Sequence, residues 1–150
     1  MLFRSIYALE GSSKINIETR RKMSSDFEYW LSQFSKGIDC FDNWKCLRDI
    51  SDAAACLAEI GIATDDESRR ILAEGEEAVA EVWERYKRTN SWTLKASELA
   101  ALRELADRHL IQCNLCSVSE YERAWAMVKS FRKAFENGQI PKGARVLTPA

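Results

Sequence analysis

Proline is almost absent from this sequence, and its two prolines, Pro141 and Pro149, both lie after residue 140. Proline removes a backbone donor and clashes with the preceding helical turn, so nothing in the first 140 residues forbids long helices. Strand signals are missing too, since no stretch alternates apolar and polar residues between strand-pairing turns. These absences favour an all-α fold.

The chain also lacks an excess of charge and a long apolar run. Its 22 basic and 23 acidic residues leave a formal net charge of -1, which gives no general attraction to nucleic acid or to an anionic membrane. No run approaches the roughly 18 apolar residues of a membrane span. The first residues lack the continuous apolar core of a secretion signal. We therefore expect a cytoplasmic protein without membrane partners.

Five stretches show the three-and-four spacing of apolar residues that is typical of one helical face. They are a helix from about Glu18 to Gly37, one capped by Asp42, one capped by Thr64, one that follows Thr93, and one from Ser117 to Asn137 and Gly138. Short connections between helices predict a bundle of about five helices that forms a single domain over residues 1–150. We expect residues 1–15 and 139–150 to be loosely ordered.

The single histidine restricts the chemistry that the chain can offer. A helix would place His109, Cys113 and Cys116 on one side, and imidazole and thiolate are the donors that zinc prefers. A fourth ligand would have to come from the remaining cysteines, which are Cys40, Cys46 and Cys56. The three positions also continue an apolar stripe, so we favour core packing, free thiols and no metal or cofactor.

No residue pattern typical of catalysis is present. The sequence has no glycine-rich phosphate loop, and its one imidazole lies on the apolar stripe. Cys113 and Cys116 lack the strand-then-helix setting of a redox pair. Carboxylates are too numerous on the third helix to single out an acid and a base. We therefore predict that the protein is not an enzyme.

Charge is unevenly distributed along the chain. Nine acids against two arginines between residues 59 and 84 give a balance of minus seven. The outward positions of the third helix that carry most of this charge are Glu74, Glu77, Glu81 and Glu84. Such a face can occupy a basic, nucleic-acid-binding groove on a partner protein, with carboxylates where phosphates would lie.

Two other interpretations of the charge remain open. The acidic face can be a plain solvated surface, in which Glu81 pairs with Arg85 and Glu84 with Arg88. The last helix can instead serve a small nucleic-acid-associated regulator. The cations that would then contact the nucleic acid are Arg123, Lys129, Arg132 and Lys133.

Tryptophan is abundant, with five residues in the chain. Four of them fall on apolar helical faces and are predicted to be core, namely Trp30, Trp44, Trp83 and Trp125. Trp92 lies in the hinge between the third and fourth helices. There it either caps the core, which we favour, or projects as an anchor for a partner protein.

Residues 51–130 resemble small helical proteins encoded by bacteriophages, prophages and conjugative elements. The resemblance rests on Gly61-Ile62, Gly75, the segment Thr89-Asn90-Ser91-Trp92-Thr93-Leu94, Glu98-Leu99, Leu102-Arg103, His109, Gln112, and Ser117 with Glu120. It implies a mobile-element setting and carries no catalytic signature. Together with the charge pattern, it predicts a non-enzymatic accessory protein that binds a host protein or nucleoprotein complex. The sharpest form of this hypothesis is an anti-CRISPR-like inhibitor of a host defence complex.

Overall fold

Five α-helices follow one another along the chain. The computed structural model describes residues 13–138, and within them no β-strand occurs. The helices are α1 (Ile17–Ser35), α2 (Cys40–Glu59), α3 (Asp66–Thr89), α4 (Ala96–Leu115) and α5 (Val118–Glu136). The predicted all-α bundle is confirmed. None of these helices is long and apolar enough to cross a membrane.

Two predicted helix ends are confirmed in detail. Ser117 and Glu120 form a capping box: Ser117 Oγ accepts from Glu120 N at 3.2 Å, and Glu120 Oε1 accepts from Ser117 N at 2.8 Å. At the other end of α5, Gly138 has φ +71°, the left-handed conformation that favours glycine after a helix. The apolar spacing and these local signals together fix the extent of α5.

Two predicted caps are wrong. The amide of Asn43 donates to Asp39 O at 3.0 Å, so α2 already begins at Cys40 and Asp42 lies within its first turn. Helix α3 begins one residue later than predicted, because the carboxylate of Asp65, and not Thr64, accepts from Ser68 N at 3.1 Å. Both shifts leave the apolar faces in place, since the faces depend on spacing within the helix.

Helix α2 is the centre of the bundle, and each of the other four helices packs against it. Its predicted apolar stripe is buried throughout, at Trp44, Leu47, Ile50, Ala54 and Leu57. The indole of Trp44 donates to Val79 O of α3 at 3.1 Å, which gives its one polar atom a partner inside the core. Helix α1 packs on α2 and α4, whereas α5 packs mainly on α2.

The remaining apolar faces agree with prediction except at a few positions. Trp30, Trp83 and Trp125 pack against the core but are only half-buried. Helical spacing also predicts that Phe135 belongs to the buried face of α5, but it is 40% exposed because it lies in the last turn, which the neighbouring helices leave uncovered. The burial of large side chains is therefore incomplete on parts of α1 and α5.

The segment before α1 is ordered where we expected loose structure. Ser13 O accepts from Val118 N at 2.8 Å, and Lys14 forms an isolated antiparallel bridge with Ser117. Ile15 is 1% exposed. The prediction of loose order is thus wrong for residues 13–15. For residues 1–12 and 139–150 it lies outside the described residues.

Helices α3 and α4 approach each other closely at Gly75. A Cβ added to Gly75 would lie 2.7 Å from Leu105 Cβ and 2.9 Å from Leu105 Cδ2, both too short for real contacts. Leu105 is itself buried among the core residues. Gly75 lies inside a regular helix, so its backbone conformation does not require glycine. The close approach of Leu105 does require it.

We predict that Gly75→Ala lowers the free energy of unfolding by about 1–3 kcal/mol, the usual effect of overpacking. Alanine is the better helix former by about 1 kcal/mol, so the clash has to outweigh this gain. Urea unfolding followed by circular dichroism measures the change. Ala73→Gly, at an exposed position of the same helix, is the control and should lose only about 1 kcal/mol. A Gly75→Ala protein more stable than the wild type would contradict the close packing.

Candidate functional site

The four predicted acidic residues of α3 lie on one exposed side of the helix. Glu74, Glu77, Glu81 and Glu84 are all exposed. At 100° per residue their positions fall within an arc of about 80°. At 1.5 Å per residue the row extends over about 15 Å. The structure therefore brings the predicted carboxylates together into one row, which we call the acidic row.

The ion pairs that would have explained this row as a solvated surface do not form as predicted. Arg85 turns away from Glu81 and binds Glu98 of α4 through two hydrogen bonds, at 2.9 and 2.8 Å. It also donates to Thr93 O at 2.7 Å, which ties the hinge to α3. Glu84 pairs with Lys87 at 2.7 Å and not with Arg88. The predicted Glu81–Arg85 and Glu84–Arg88 pairs are therefore wrong. Arg85 binds a residue of another helix, and Lys87 pairs with Glu84 in place of Arg88.

Trp92 caps the aromatic end of the core, as predicted. Its ring stacks on Tyr86 with centroids 4.1 Å apart and planes 13° apart. Phe34, Phe41, Trp44 and Trp83 surround it at centroid distances of 6.0–6.1 Å. The ring is half-buried, so part of it stays accessible beside the C-terminal turns of α3.

The cations predicted on α5 do not form one free basic surface. Arg123, Lys129 and Lys133 are exposed, but at 100° per residue Arg123 lies about 120° around the helix from Lys129. Arg132 points inward and binds Asp52 at 2.6 Å and Asp49 at 2.7 Å, both on α2. This residue therefore fastens α5 to α2 and is not a free contact for nucleic acid.

The carboxyl of Asp52 sits in a largely desolvated position. Burial raises its pKa from 3.8 to about 6, against the attraction of Arg132, which lowers it. The folded protein thus binds the proton of the Asp52 carboxyl more tightly than the unfolded chain does. The contribution of Asp52 to stability consequently falls as pH rises from 3.8 to about 6.

The His109, Cys113 and Cys116 side chains are buried, with 1%, 0% and 0% exposure. Gln112 Nε2 donates to Ala54 O at 3.0 Å, so the oxygen of its amide faces His109 Nδ1 at 3.0 Å and requires a proton there. His109 Nε2 is then an acceptor, 3.7 Å from Cys113 Sγ. Among the described residues, no group of three or more histidine, cysteine or acidic side chains is arranged to hold a metal ion.

Protonation of these groups follows from burial. Desolvation lowers the pKa of His109 to about 4, so the imidazole is neutral at pH 7. Desolvation also raises the pKa of Cys113, and it raises that of Cys116 to about 11. The two cysteines are neutral thiols at pH 7. All five cysteines are free, as predicted.

A cleft of about 550 Å³ opens between α1 and α5, with α2 and α4 beneath it. It forms because α1 and α5 each pack on α2 but not closely on each other. Its apolar walls are Met23, Phe27, Trp30, Ile50, Tyr121 and Trp125, and His109 contributes the α4 side of the floor. Our interpretation of His109 as core filler is therefore incomplete, because its buried ring also borders this cleft.

The cleft was not predicted from the sequence, although one signal for it was available. Trp30 and Leu31 both belong to the apolar face of α1. Neighbouring residues lie 100° apart on a helix, so these two lie at opposite edges of that face. Leu31 is 3% exposed, whereas Trp30 is half-buried and lines the cleft. The bulky aromatic residues at the edge of the stripe marked a second surface.

Comparisons of the chain with models of known protein families, with curated proteins and with solved structures gave no match. The resemblance to phage-type proteins stays a prediction that rests on the residues named above.

We predict that Arg132→Met destabilises the protein by about 3–5 kcal/mol at pH 8, because it leaves the Asp52 carboxylate buried without its partner. The loss should shrink at pH 5, where Asp52, whose pKa is about 6, is protonated. Denaturant unfolding at both pH values measures it. The control Lys129→Met, at an exposed position, should change stability by no more than about 0.5 kcal/mol. Equal effects of the two variants would rule out a structural role for Arg132.

Proposed function

We propose that this protein acts as a non-enzymatic binding protein, whose acidic row on α3 docks on a positively charged groove of a partner protein. The observation that carries the proposal is the diversion of Arg85 to Glu98 at 2.8 Å. It withdraws from the row the cation predicted to pair with Glu81. Glu74 and Glu84 pair with Arg70 and Lys87, whereas Glu77 and Glu81 form no ion pair among the described residues.

The energetics of the row favour a role outside the fold. Like charges three or four residues apart on a helix are destabilising, by about 0.2–0.5 kcal/mol per pair. Glu74, Glu77, Glu81 and Glu84 make three such neighbouring pairs. None of them contributes to the described core or to its buried ion pairs. A binding partner with complementary charge is the condition under which the row becomes favourable.

The sharper form of the proposal is that the partner's groove normally binds nucleic acid. A row of negative charges over about 15 Å imitates a stretch of phosphate backbone in length and sign. Trp92 stacks on Tyr86, which lies at least 120° around α3 from every residue of the row, so the ring is not part of this docking surface. The phage-type resemblance suggests the setting. The protein would be an anti-CRISPR-like inhibitor, encoded by a mobile element, of a nucleoprotein defence complex of the host.

Charge reversal tests the proposal. We predict that replacing Glu74, Glu77, Glu81 and Glu84 by lysine abolishes binding to the partner, because attraction becomes repulsion over the whole row. Affinity capture from cells of the native host identifies the partner. Titration of the purified pair then gives the affinity at two salt concentrations. Wild-type binding should weaken at the higher salt concentration, as exposed charge pairs are screened.

A control variant with the same change in net charge distinguishes an effect of the acidic row from a general effect of charge. Replacing four dispersed exposed acids by lysine changes the net charge by the same amount, at Glu28, Glu59, Glu104 and Glu136. The control should retain most of the partner binding, and both variants should keep the helical circular dichroism. Partner binding that survives reversal of the row, in a folded protein, would remove the acidic row from the proposal.

A further inference from the structure

The cleft between α1 and α5 has the size and lining of a small-molecule site. Its volume of about 550 Å³ lies within the range of about 300–1,000 Å³ that is usual for ligand pockets. No residue of α3 lines it, so it is separate from the acidic row. Four aromatic side chains line it, namely Phe27, Trp30, Tyr121 and Trp125.

The polar atoms of His109 and Tyr121, in the floor and wall of the cleft, have partners within the protein. His109 uses Nδ1 on Gln112 and Nε2 on Cys113. Tyr121 has a side-chain hydrogen bond with Trp125, and since indole is only a donor, the phenol oxygen accepts. The interior therefore offers mainly aromatic faces and carbon edges, which favours a ligand with an apolar body.

Charge at the mouth of the cleft is biased toward one sign. Three carboxylates line it, from Glu18, Asp26 and Asp49, against the one ammonium of Lys22. Lys22 pairs with Asp26 at 3.0 Å, and Arg132 and Arg48 pair with Asp49 at 2.7 and 3.3 Å. Glu18 remains as excess negative charge in the first turn of α1. A cationic group is the polar group that this mouth accommodates best.

The aromatic side chains in the walls of the cleft also favour a positively charged ligand. The faces of indole, phenol and phenyl rings carry negative electrostatic potential, so they attract an ammonium group and repel a carboxylate. Phe27 and Trp30 lie with centroids 5.7 Å apart, and Tyr121 and Trp125 lie 6.4 Å apart on the opposite wall. Two aromatic pairs thus flank the space that a ligand would fill.

We propose that this cleft binds a small organic cation, with an aromatic or aliphatic body between the α1 and α5 aromatic pairs and an amine or quaternary ammonium group at the carboxylate-lined mouth. Trp30 and Glu18 are the residues assigned to recognise the body and the charge, because Glu18 is the carboxylate at the mouth that forms no ion pair among the described residues.

Three probes with one aromatic body test the site by calorimetric titration of the full chain. They are 1-naphthylmethyltrimethylammonium, the neutral 1-naphthalenemethanol and the anion 1-naphthylacetate. The cation should bind about tenfold more tightly than the neutral probe, from cation–π attraction in a desolvated site, and the anion most weakly. Equal affinity for the cation and the neutral probe would overturn the cationic class. No binding of any probe would overturn the site.

Paired variants locate the binding. Trp30→Ala should weaken cation binding about tenfold, whereas Trp83→Ala, another half-buried tryptophan outside the cleft, should not. Glu18→Gln should reduce the preference for the cation over the neutral probe about threefold, and Glu104→Gln, an exposed acid on α4, should leave it unchanged. Cation binding that is unaffected by both Trp30→Ala and Glu18→Gln would place the probe elsewhere and overturn the assignment. Glu18 is exposed, so this variant keeps the test valid if Trp30→Ala fails to fold.

Discussion

The buried amide of Gln112 is the interaction on which the interior of this bundle depends. It donates to Ala54 O in the middle of α2 and to Ile62 O beyond the end of that helix, at 3.0 and 3.4 Å. One side chain of α4 thereby holds the central helix and the turn that leaves it. Because both amide protons are used in this way, the amide oxygen can only accept, and His109 has to donate. Leaving such a group unpaired would destabilise the fold by about 1–3 kcal/mol.

Polar pairs within the protein also shape the two surfaces that the fold presents. Inside, His109 is neutral and fully used, so the floor of the cleft is an aromatic surface without a reactive group. Burial raises the pKa of Cys46 as well, so this half-buried thiol at the cleft stays protonated at pH 7. Outside, Arg85 is committed to Glu98, and the carboxylates of α3 are left to solvent or to a partner. Both surfaces are therefore suited to binding, one by apolar shape and the other by charge.

The helices were predictable because apolar spacing is a local property of the chain. Trp44 to Leu57 repeat at the helical period, and Ser117 with Glu120 marks a helix start within four residues. The ion pairs were not predictable in this way. Arg85 has Glu81 one turn before it, yet it binds Glu98, which is thirteen residues away and is reached only through the hinge. The rule for neighbouring charges on one helix does not include such competition.

The cleft could not be predicted from the sequence for a related reason. Each wall is an ordinary amphipathic helix, and Phe27 or Tyr121 alone predicts burial. The space exists only because α1 and α5 settle on α2 at a distance from each other. Ala53 and Ala54, both with 0% exposure, set how closely neighbours approach α2. Such relative placement depends on the volumes of many side chains at once.

Because of the way α5 is attached, we expect local stability to differ among the helices of the bundle. This helix rests mainly on α2, is fastened by Arg132, and is joined to the start of α1 through Ser13 and Val118. Helices with few neighbours open before the rest of a domain does, in cooperative steps below the energy of global unfolding. Local opening of α5 would therefore expose one wall of the cleft while the other helices stay folded.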